Sequence, residues 1–361
     1  MLKKYSFGKY FLCISYALFC GVGISYLGLS LFTNVRGELA SRFPVVASES
    51  QRATVINVAV VASSVPVVAV EPVAKSVSTT TTLAFVGDIM LDRGVKQVVL
   101  KKGAGNYSSV FTDLNKLKDV DILVGNLEGP VSDRGHDLGN SYSFRMSPAV
   151  VPVLVSQGFD ILTVANNHAG DWSSVAFADT LVKFKNSGIA LSGGGNSLAE
   201  AEQVKIIEKN GVRFGFLSFS DVGPNWLRAG TTTPGILIAG DQGTPGIIRH
   251  AAEVCDVLSV SFHFGNEYET TSSWRQKELA QMAIDSGAKI VVGTHPHVPQ
   301  PVERYKGGVI MYSLGNFVFD QYFSTSTMNG LAVKVQMKGK EIDSVEKMNA
   351  KIDWNFRVRV E

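Results

Sequence analysis

Cysteine is scarce in this sequence: there are three in 361 residues, and Cys13 and Cys20 both lie inside one uncharged N-terminal run. A single thiol is left for the rest of the chain, so a disulfide framework is excluded. That thiol, Cys255, stands in AAEVCDVLSVSF just ahead of an apolar strand, where a buried structural cysteine is expected. An excess of one charge is missing as well. Lys and Arg total 34 against 32 Asp and Glu, a net charge of +2, and the two signs are interspersed rather than blocked. No extended basic surface follows, and nucleic acid is not an expected partner. Internal repeats of the solenoid kind are also lacking.

What is present begins with an apolar run. Residues 10–32 read YFLCISYALFCGVGISYLGLSLF, uncharged throughout. At roughly 1.5 Å per helical residue this is long enough to cross a hydrocarbon core of about 30 Å, so it reads as a transmembrane helix. Lys3, Lys4 and Lys9 precede it, whereas Arg36, Glu38 and Arg42 follow. The positive-inside bias then places residues 1–9 in the cytoplasm and everything after the span outside the cell membrane. The competing reading is a cleaved signal peptide. Its apolar core normally runs about 7–15 residues, and the small-residue site at Val46-Ala47-Ser48 lies well past the run, so an uncleaved single-pass anchor is the expectation. Both readings export the remainder.

Residues 33–82 read as a linker, rich in Val, Ala, Ser, Pro and Thr and ending in KSVSTTTT. The valine runs in VINVAVVASSVPVVAV are more apolar than ordinary disorder, which leaves open a strand that pairs with the domain or with a partner. From Leu83 to residue 361 the pattern becomes that of one α/β domain. Apolar runs bounded by Gly, Asn and Asp (LAFVG, DILVGNLEG, DILTVANNH) alternate with the amphipathic stretches YSSVFTDLNKLKD and PAVVPVLVSQG. Helices are predicted near 173–186 and 274–286, and a hairpin turning at Asn210-Gly211. DVLSVSFHFG and AKIVVGTHPH add strands, and residues 302–348 read as antiparallel strands joined by Gly-containing turns. The expected architecture is a mixed two-layered β-core flanked by helices.

Polar residues cluster immediately after these strands. LAFVG is followed by Asp88, DILVG by Asn126 and Glu128, DILTVA by Asn166, Asn167 and His168, DVLSVSF by His263, and KIVVG by His295 and His297. In α/β sheets the loops beyond the carboxyl ends of strands converge on one crevice, so these distant positions are expected to share a site. Imidazoles mixed with carboxylates and amides suit Zn²⁺, Mn²⁺ or Fe²⁺. His295 and His297 alternate, which in extended backbone aims two imidazoles to one side. Each residue alone has a plainer reading as a strand-end cap.

The ordered segments GDIMLDRG, VGNLEGP, ANNHAGDW, HFGNEY and GTHPHVPQPVERYKGGVIMYSLGNFVFDQ resemble the signature of the CapA, or poly-γ-glutamate capsule biosynthesis, family, over about Leu83 to Gln321. That family is in turn similar to calcineurin-like metallophosphoesterases. The resemblance implies a metallophosphatase-like mixed β-sandwich flanked by helices, and a centre for divalent ions, two of Mn, Zn or Fe. Asp88, Asn126, Glu128, Asn167, His263, His295 and His297 would be its ligands, with His168 as proton donor. Asp171 would orient the His168 ring or cap the following helix. There are departures from the phosphoesterase pattern: Met90 stands where its first motif has a second ligand, and Asn126 stands where it has a bridging Asp. Glu128 would then supply the missing charge.

Other residues are candidates at the periphery. Arg93 and Arg145 would clamp a phosphate or γ-glutamyl carboxylate, or pair with structural acids. Glu267 would act as a base beside the ligands or touch substrate, and Asn316 would line the pocket or cap a turn. Glu303 and Arg304 read as solvated strand charges, Trp172, Trp226 and Trp274 as core or rim packing, and His136 and His250 as surface residues. Two functions follow from the resemblance. One is an exported metal-dependent hydrolase or transferase acting on an anionic envelope polymer such as poly-γ-glutamate or its precursor. The other is a non-catalytic, polymer-binding subunit among the membrane proteins of a capsule synthesis and export complex.

Overall fold

The structure, a computed structural model, describes residues 80–240 and 243–361. The predicted anchor and nearly all of the predicted linker lie outside the described residues. Among the described residues no helix is long and apolar enough to cross a membrane.

The chain opens with β1 (Thr80–Ile89), α1 (Arg93–Lys102), β2 (Phe111–Asp113), β3 (Ile122–Leu127), α2 (Val150–Ser156), β4 (Ile161–Thr163) and α3 (Ser173–Phe184). It continues through β5 (Ala190–Ser192), β6 (Gly194–Gly195), α4 (Leu198–Ala201), β7 (Lys205–Lys209), β8 (Val212–Ser220), β9 (Gly235–Ile236), α5 (Thr244–Glu253) and β10 (Val257–His263). Last come α6 (Trp274–Asp285), β11 (Ile290–Thr294), β12 (Val302–Tyr305), β13 (Gly308–Met311), β14 (Asn316–Val318), β15 (Asn329–Lys338), β16 (Glu341–Ile352) and β17 (Val358–Val360). One sheet runs β2-β17-β16-β15-β1-β3-β4-β5 with β14 added beside β1, a second runs β12-β13-β11-β10-β8-β7, and β6 and β9 form a small two-stranded pair.

Alternation along β1 explains the layers. Leu83 and Phe85 enter the core between the two sheets, with Phe214, Val292 and Val333 from their partners. Ala84 and Val86 face the other way, into a second core. That core also holds Val95 and Val99 of α1, Leu154 of α2 and Phe177 of α3, while a third core packs Ile248 of α5 and Leu279 of α6 against Val260 and Phe262 of β10. The result is a mixed α/β sandwich, helices outside and two sheets inside. Each large side chain placed there contributes roughly 1.5–3 kcal/mol.

Local signals account for several elements. Asn210 and Gly211 both take positive φ, 52° and 74°, and turn β7 into β8 as an Asn-Gly hairpin. α6 starts on a capping box in which Ser273 and Gln276 exchange hydrogen bonds. Other expectations are corrected. YSSVFTDLNKLKD forms no continuous helix: Asn106 and Asp113 accept bonds from the N–H groups of Ser108 and Asn115, which fixes two short 3-10 turns around β2. α1 and α5 go beyond the elements expected. Within residues 302–348, β13 runs parallel to β11 and β14 parallel to β1, so that stretch is only partly antiparallel. β1 begins at Thr80, three residues ahead of Leu83, because its first residues pair with Lys338, Met337 and Gln336 of β15. Trp226 and Trp274 are exposed, which removes the core reading of them and leaves the rim. Cys255 is buried as expected, and burial pushes its thiol pKa up.

Two glycines permit the chain crossings on which the strand ends depend. A Cβ on Gly87 would stand 1.8 Å from the Gly315 carbonyl oxygen, and one on Gly293 would stand 2.0 Å from that of Tyr312. Neither backbone can retreat without breaking a sheet. Gly87→Ala is therefore expected to lower stability by about 2 kcal/mol or more. Gly246→Ala, in α5, where an added Cβ would meet only the Arg249 guanidinium at 4.0 Å, should instead raise stability by roughly 0.5–1 kcal/mol. Urea melts of the two variants check the pair, and a neutral Gly87→Ala would contradict the crossing.

Candidate metal centre

β1, β3 and β4 run parallel in one sheet, as do β8, β10, β11 and β13 in the other, so their carboxyl ends open on one side. At the end of β1 the pairing with β3 shifts register between Phe85 and Asp88. This bulge sets Asp88 level with Asn126 on one side and Asn316 on the other. Glu128 follows β3, its N–H bonded to the Ile89 carbonyl at 3.0 Å. His263 ends β10. His295 and His297 follow β11, with φ of 96° and 59°. Their loop is thus not the extended backbone expected of His-Pro-His, yet it still brings the two rings to 6.0 Å between centroids.

The side chains converge. Asp88 Oδ2 lies 3.3 Å from His297 Nδ1 and 3.4 Å from the His295 N–H nitrogen. The Asn126 amide donates to Asp88 at 2.8 Å and to Glu128 at 3.3 Å, while its oxygen accepts from Thr163 and Asn166. It serves as a bridge between two carboxylates, with no oxygen turned toward them. His263 Nε2 meets Asn167 Oδ1 at 2.7 Å, and its Nδ1 meets the Thr294 hydroxyl at 2.9 Å. His297 Nδ1 donates to Asn316 Oδ1 at 2.9 Å, because the Asn316 NH₂ is committed to Gln321 and the Thr327 carbonyl. The other ring nitrogen of His297, Nε2, then faces Glu128 Oε1 at 3.7 Å.

That geometry fits a cation. Glu128 Oε1 and His295 Nδ1 are buried without any hydrogen-bond partner, a costly state for a carboxylate oxygen and an imidazole nitrogen. Asp88, Glu128 and His263 offer ligand atoms within 4.8 Å of one another, and Glu267, His295 and His297 do the same. The donor set of imidazole and carboxylate is that of borderline divalent metals. Met90 contributes nothing: it is fully buried, and its sulfur accepts the Asp92 N–H at 3.2 Å.

His168 stands at the edge. Its Nδ1 is 2.7 Å from Asp171 Oδ2, its Nε2 is 3.9 Å from Glu128 Oε1, and Phe144 lies over its ring at 4.0 Å. The Asp171 carboxylate also takes the N–H of Phe144 and the Asn140 amide, and α3 has no side-chain cap, so orienting the imidazole is what Asp171 does here. The remaining candidates divide. Arg93 is held by both oxygens of Asp320, which leaves it no free fork for substrate. Asn316 is fully buried behind His297 and does not line the cleft. Arg145 is half-buried with its guanidinium 3.6 Å from the centre of the Trp172 ring. Glu267 is exposed beside His295 and His297. Thr294, Phe144 and Asp320 went unremarked in the sequence. Thr294 and Asp320 do lie inside the matched segments, but nothing local marks them.

The residues resembling those of the CapA signature thus meet in an acid-and-imidazole cleft at the strand ends of an α/β sandwich. Residues 82–321 match the model of the family described as bacterial capsule synthesis protein PGA_cap, and the chain belongs to that family. It is 37% identical over 259 residues to the PGA biosynthesis protein CapA of Bacillus subtilis, covering 71% of this chain and 67% of that protein. It is 34% identical over 279 residues to the capsule biosynthesis protein CapA of Bacillus anthracis, covering 75% and 67%. Among solved structures, the calcineurin-like phosphoesterase YfkN of Bacillus subtilis aligns with 78% of this chain and 93% of its own at 14% identity and a TM-score of 0.44.

Burial sets the protonation of the cleft. It holds His263 well below the usual imidazole range, helped by His295 and His297, and pushes His295 down to about 4. The folded state therefore binds fewer protons at these rings than the unfolded chain between about pH 4 and 6.5, so they destabilise the metal-free fold as pH falls through that window. Glu128 acts oppositely. Burial and the Asp88 charge raise its pKa well above the carboxylate range, so its contribution is present at low pH and is lost as pH rises through the folded value. In Glu128→Gln the opposing proton is gone. The unfolding free energy of that metal-free variant, read from urea melts, should fall from pH 6.5 to pH 4 by an amount on the order of a few kcal/mol. A flat profile would mean that the rings stay protonated when buried.

Proposed function

We propose that this chain is a metal-dependent hydrolase or transferase, tethered outside the cell membrane, that acts on an anionic polymer of the cell envelope or its precursor. The observation that carries this reading is that Glu128 Oε1, buried without a hydrogen-bond partner, faces His297 Nε2 at 3.7 Å beside an imidazole already held by a carboxylate. The names of the relatives, PGA biosynthesis and capsule biosynthesis, support the process. Membrane subunits of a capsule synthase or exporter are the partners this reading implies.

Asp88, Glu128 and His263 would hold one divalent ion of the Mn, Zn or Fe type, and Glu267, His295 and His297 a second. Ions there would supply Lewis acidity to water and to the substrate oxygen. The rest falls to side chains. Asp171 holds the Nδ1–H of His168, so the ring carries or releases a proton at Nε2, on the cleft side. Phe144 keeps the ring plane fixed. Arg145 sits over Trp172, 3.6 Å from the ring centre, and would offer its N–H groups to an anionic group of the polymer. The second reading, a binding subunit without turnover, is favoured by Met90, which removes one imidazole from the first motif.

Purified full-length chain, loaded with metal, is to be assayed on phosphoester, γ-glutamyl amide and peptide substrates. His168→Ala should keep its metal and lose about 10²–10⁴-fold in turnover. Absence of turnover on every substrate by the metal-loaded native chain would move the reading to the binding subunit. Protease added outside intact spheroplasts should degrade the domain, and full protection would defeat the exported orientation.

A further inference from the structure

Packing holds the plane of the His297 ring but not its orientation within that plane. Phe319 meets the ring edge-on with centres 4.8 Å apart, and Tyr268 stacks on it at 6.1 Å with 29° between the planes. A half-turn about the Cβ–Cγ bond exchanges Nδ1 with a ring carbon of nearly the same size, and aromatic neighbours do not tell the two apart. Only a hydrogen bond distinguishes them.

Asn316 makes that distinction, and its own orientation is fixed. Its Oδ1 lies 2.9 Å from His297 Nδ1, while its NH₂ donates to Gln321 Oε1 at 3.0 Å and to the Thr327 carbonyl at 2.9 Å. A flipped amide would set its oxygen against the Thr327 carbonyl, two acceptors with no proton between them, at a residue with no exposed surface. The outer end is tied as well: the Gln321 amide donates to the Tyr268 hydroxyl at 3.3 Å, and the Thr327 hydroxyl donates to the Gln321 carbonyl at 2.7 Å. Asp88 Oδ2, 3.3 Å from the same Nδ1, is a carboxylate oxygen and also accepts. Nδ1 therefore faces two acceptors, and the ring proton belongs there. In water a neutral histidine side chain prefers the proton on Nε2; inside a protein, the hydrogen bond made by one ring nitrogen sets the state of the other.

We infer that Asn316 is a positioning residue: locked by Gln321 and the Thr327 carbonyl, it holds the proton of His297 on Nδ1 and leaves Nε2 for the ion. The test is nitrogen NMR of the full-length chain in detergent, labelled with ¹⁵N-histidine, together with zinc binding in competition with a chelator. Metal-free and at about pH 8, above the ordinary imidazole pKa, native His297 should show a protonated Nδ1 and a bare Nε2, its signals identified by their loss in His297→Ala. Asn316→Leu, apolar and of similar size, should move the proton to Nε2 and weaken zinc roughly 10–100-fold, whereas Asn316→Asp, which still accepts from Nδ1, should keep the native signals and bind zinc within about threefold of native. A packing role alone would lower zinc affinity in both variants and move the ring signals in neither. A native ring protonated on Nε2, or ring signals or zinc affinity unchanged in Asn316→Leu, would each overturn the role of Asn316. Where Asn316→Leu does not melt cooperatively, the native signals and those of Asn316→Asp decide it. This role rests on the metal-centre reading, and the two fail separately. A native chain that binds no zinc, manganese or iron while His297 keeps its proton on Nδ1 defeats the metal centre; an Nε2–H ring in a chain that binds zinc defeats only the role of Asn316.

Discussion

Asp88 and Glu128 have no exposed surface, and one amide, that of Asn126, reaches both. Burying a carboxylate costs several kcal/mol unless hydrogen bonds or opposite charge offset it. Asp88 receives that offset from Asn126 and from the His295 N–H. Glu128 receives only half of it, since Oε1 has no donor. His263 and His295 cannot supply the balance as neutral rings. Burial and mutual repulsion keep His263 and His295 from becoming cations. A divalent ion would satisfy the two unpartnered atoms, Glu128 Oε1 and His295 Nδ1, at once.

The supporting structure serves the same constraint. Arg93 and the Gly94 N–H both bind Asp320, which ties the first motif to the end of the last. Gln276 and Gln300, both buried, join α6 to the loop that carries Glu267 and Tyr268: the Gln300 amide bonds the carbonyls of Glu269 and Thr271. Networks of this kind rigidify when every member is satisfied. The loop bearing Glu267 is therefore held against His295 and His297, although Glu267 itself is exposed.

Much of this arrangement was legible in the sequence because its signals are local. Apolar runs that end in Asp88, Asn126, His263 and His295 mark strands and their mouths, and parallel strands bring such mouths together. The Asn210-Gly211 turn and the α6 cap are likewise written in a few adjacent residues. The illegible parts depend on pairings made far along the chain. Asp320 is 227 positions from Arg93, and nothing near either residue announces the pair. Asn316 was open to a place in the pocket or a turn cap, and neither shows that β14 docks parallel to β1 and turns Asn316 behind His297. The His-Pro-His loop misled through backbone conformation: its two histidines take left-handed φ, which alternation in sequence does not reveal.

The central claim is that a divalent ion completes the buried acid-and-imidazole cluster, and bound metal is the quantity to measure. Elemental analysis of the purified full-length chain should find Mn, Zn or Fe. After chelation, restoring metal to about 100-fold its Kd should raise stability by about 2.7 kcal/mol. His295→Ala and His297→Ala should each lower the bound metal and shrink that gain while leaving the metal-free melting curve cooperative. A native chain that carries no metal, and whose melting is unmoved by added Mn, Zn or Fe, would contradict the account.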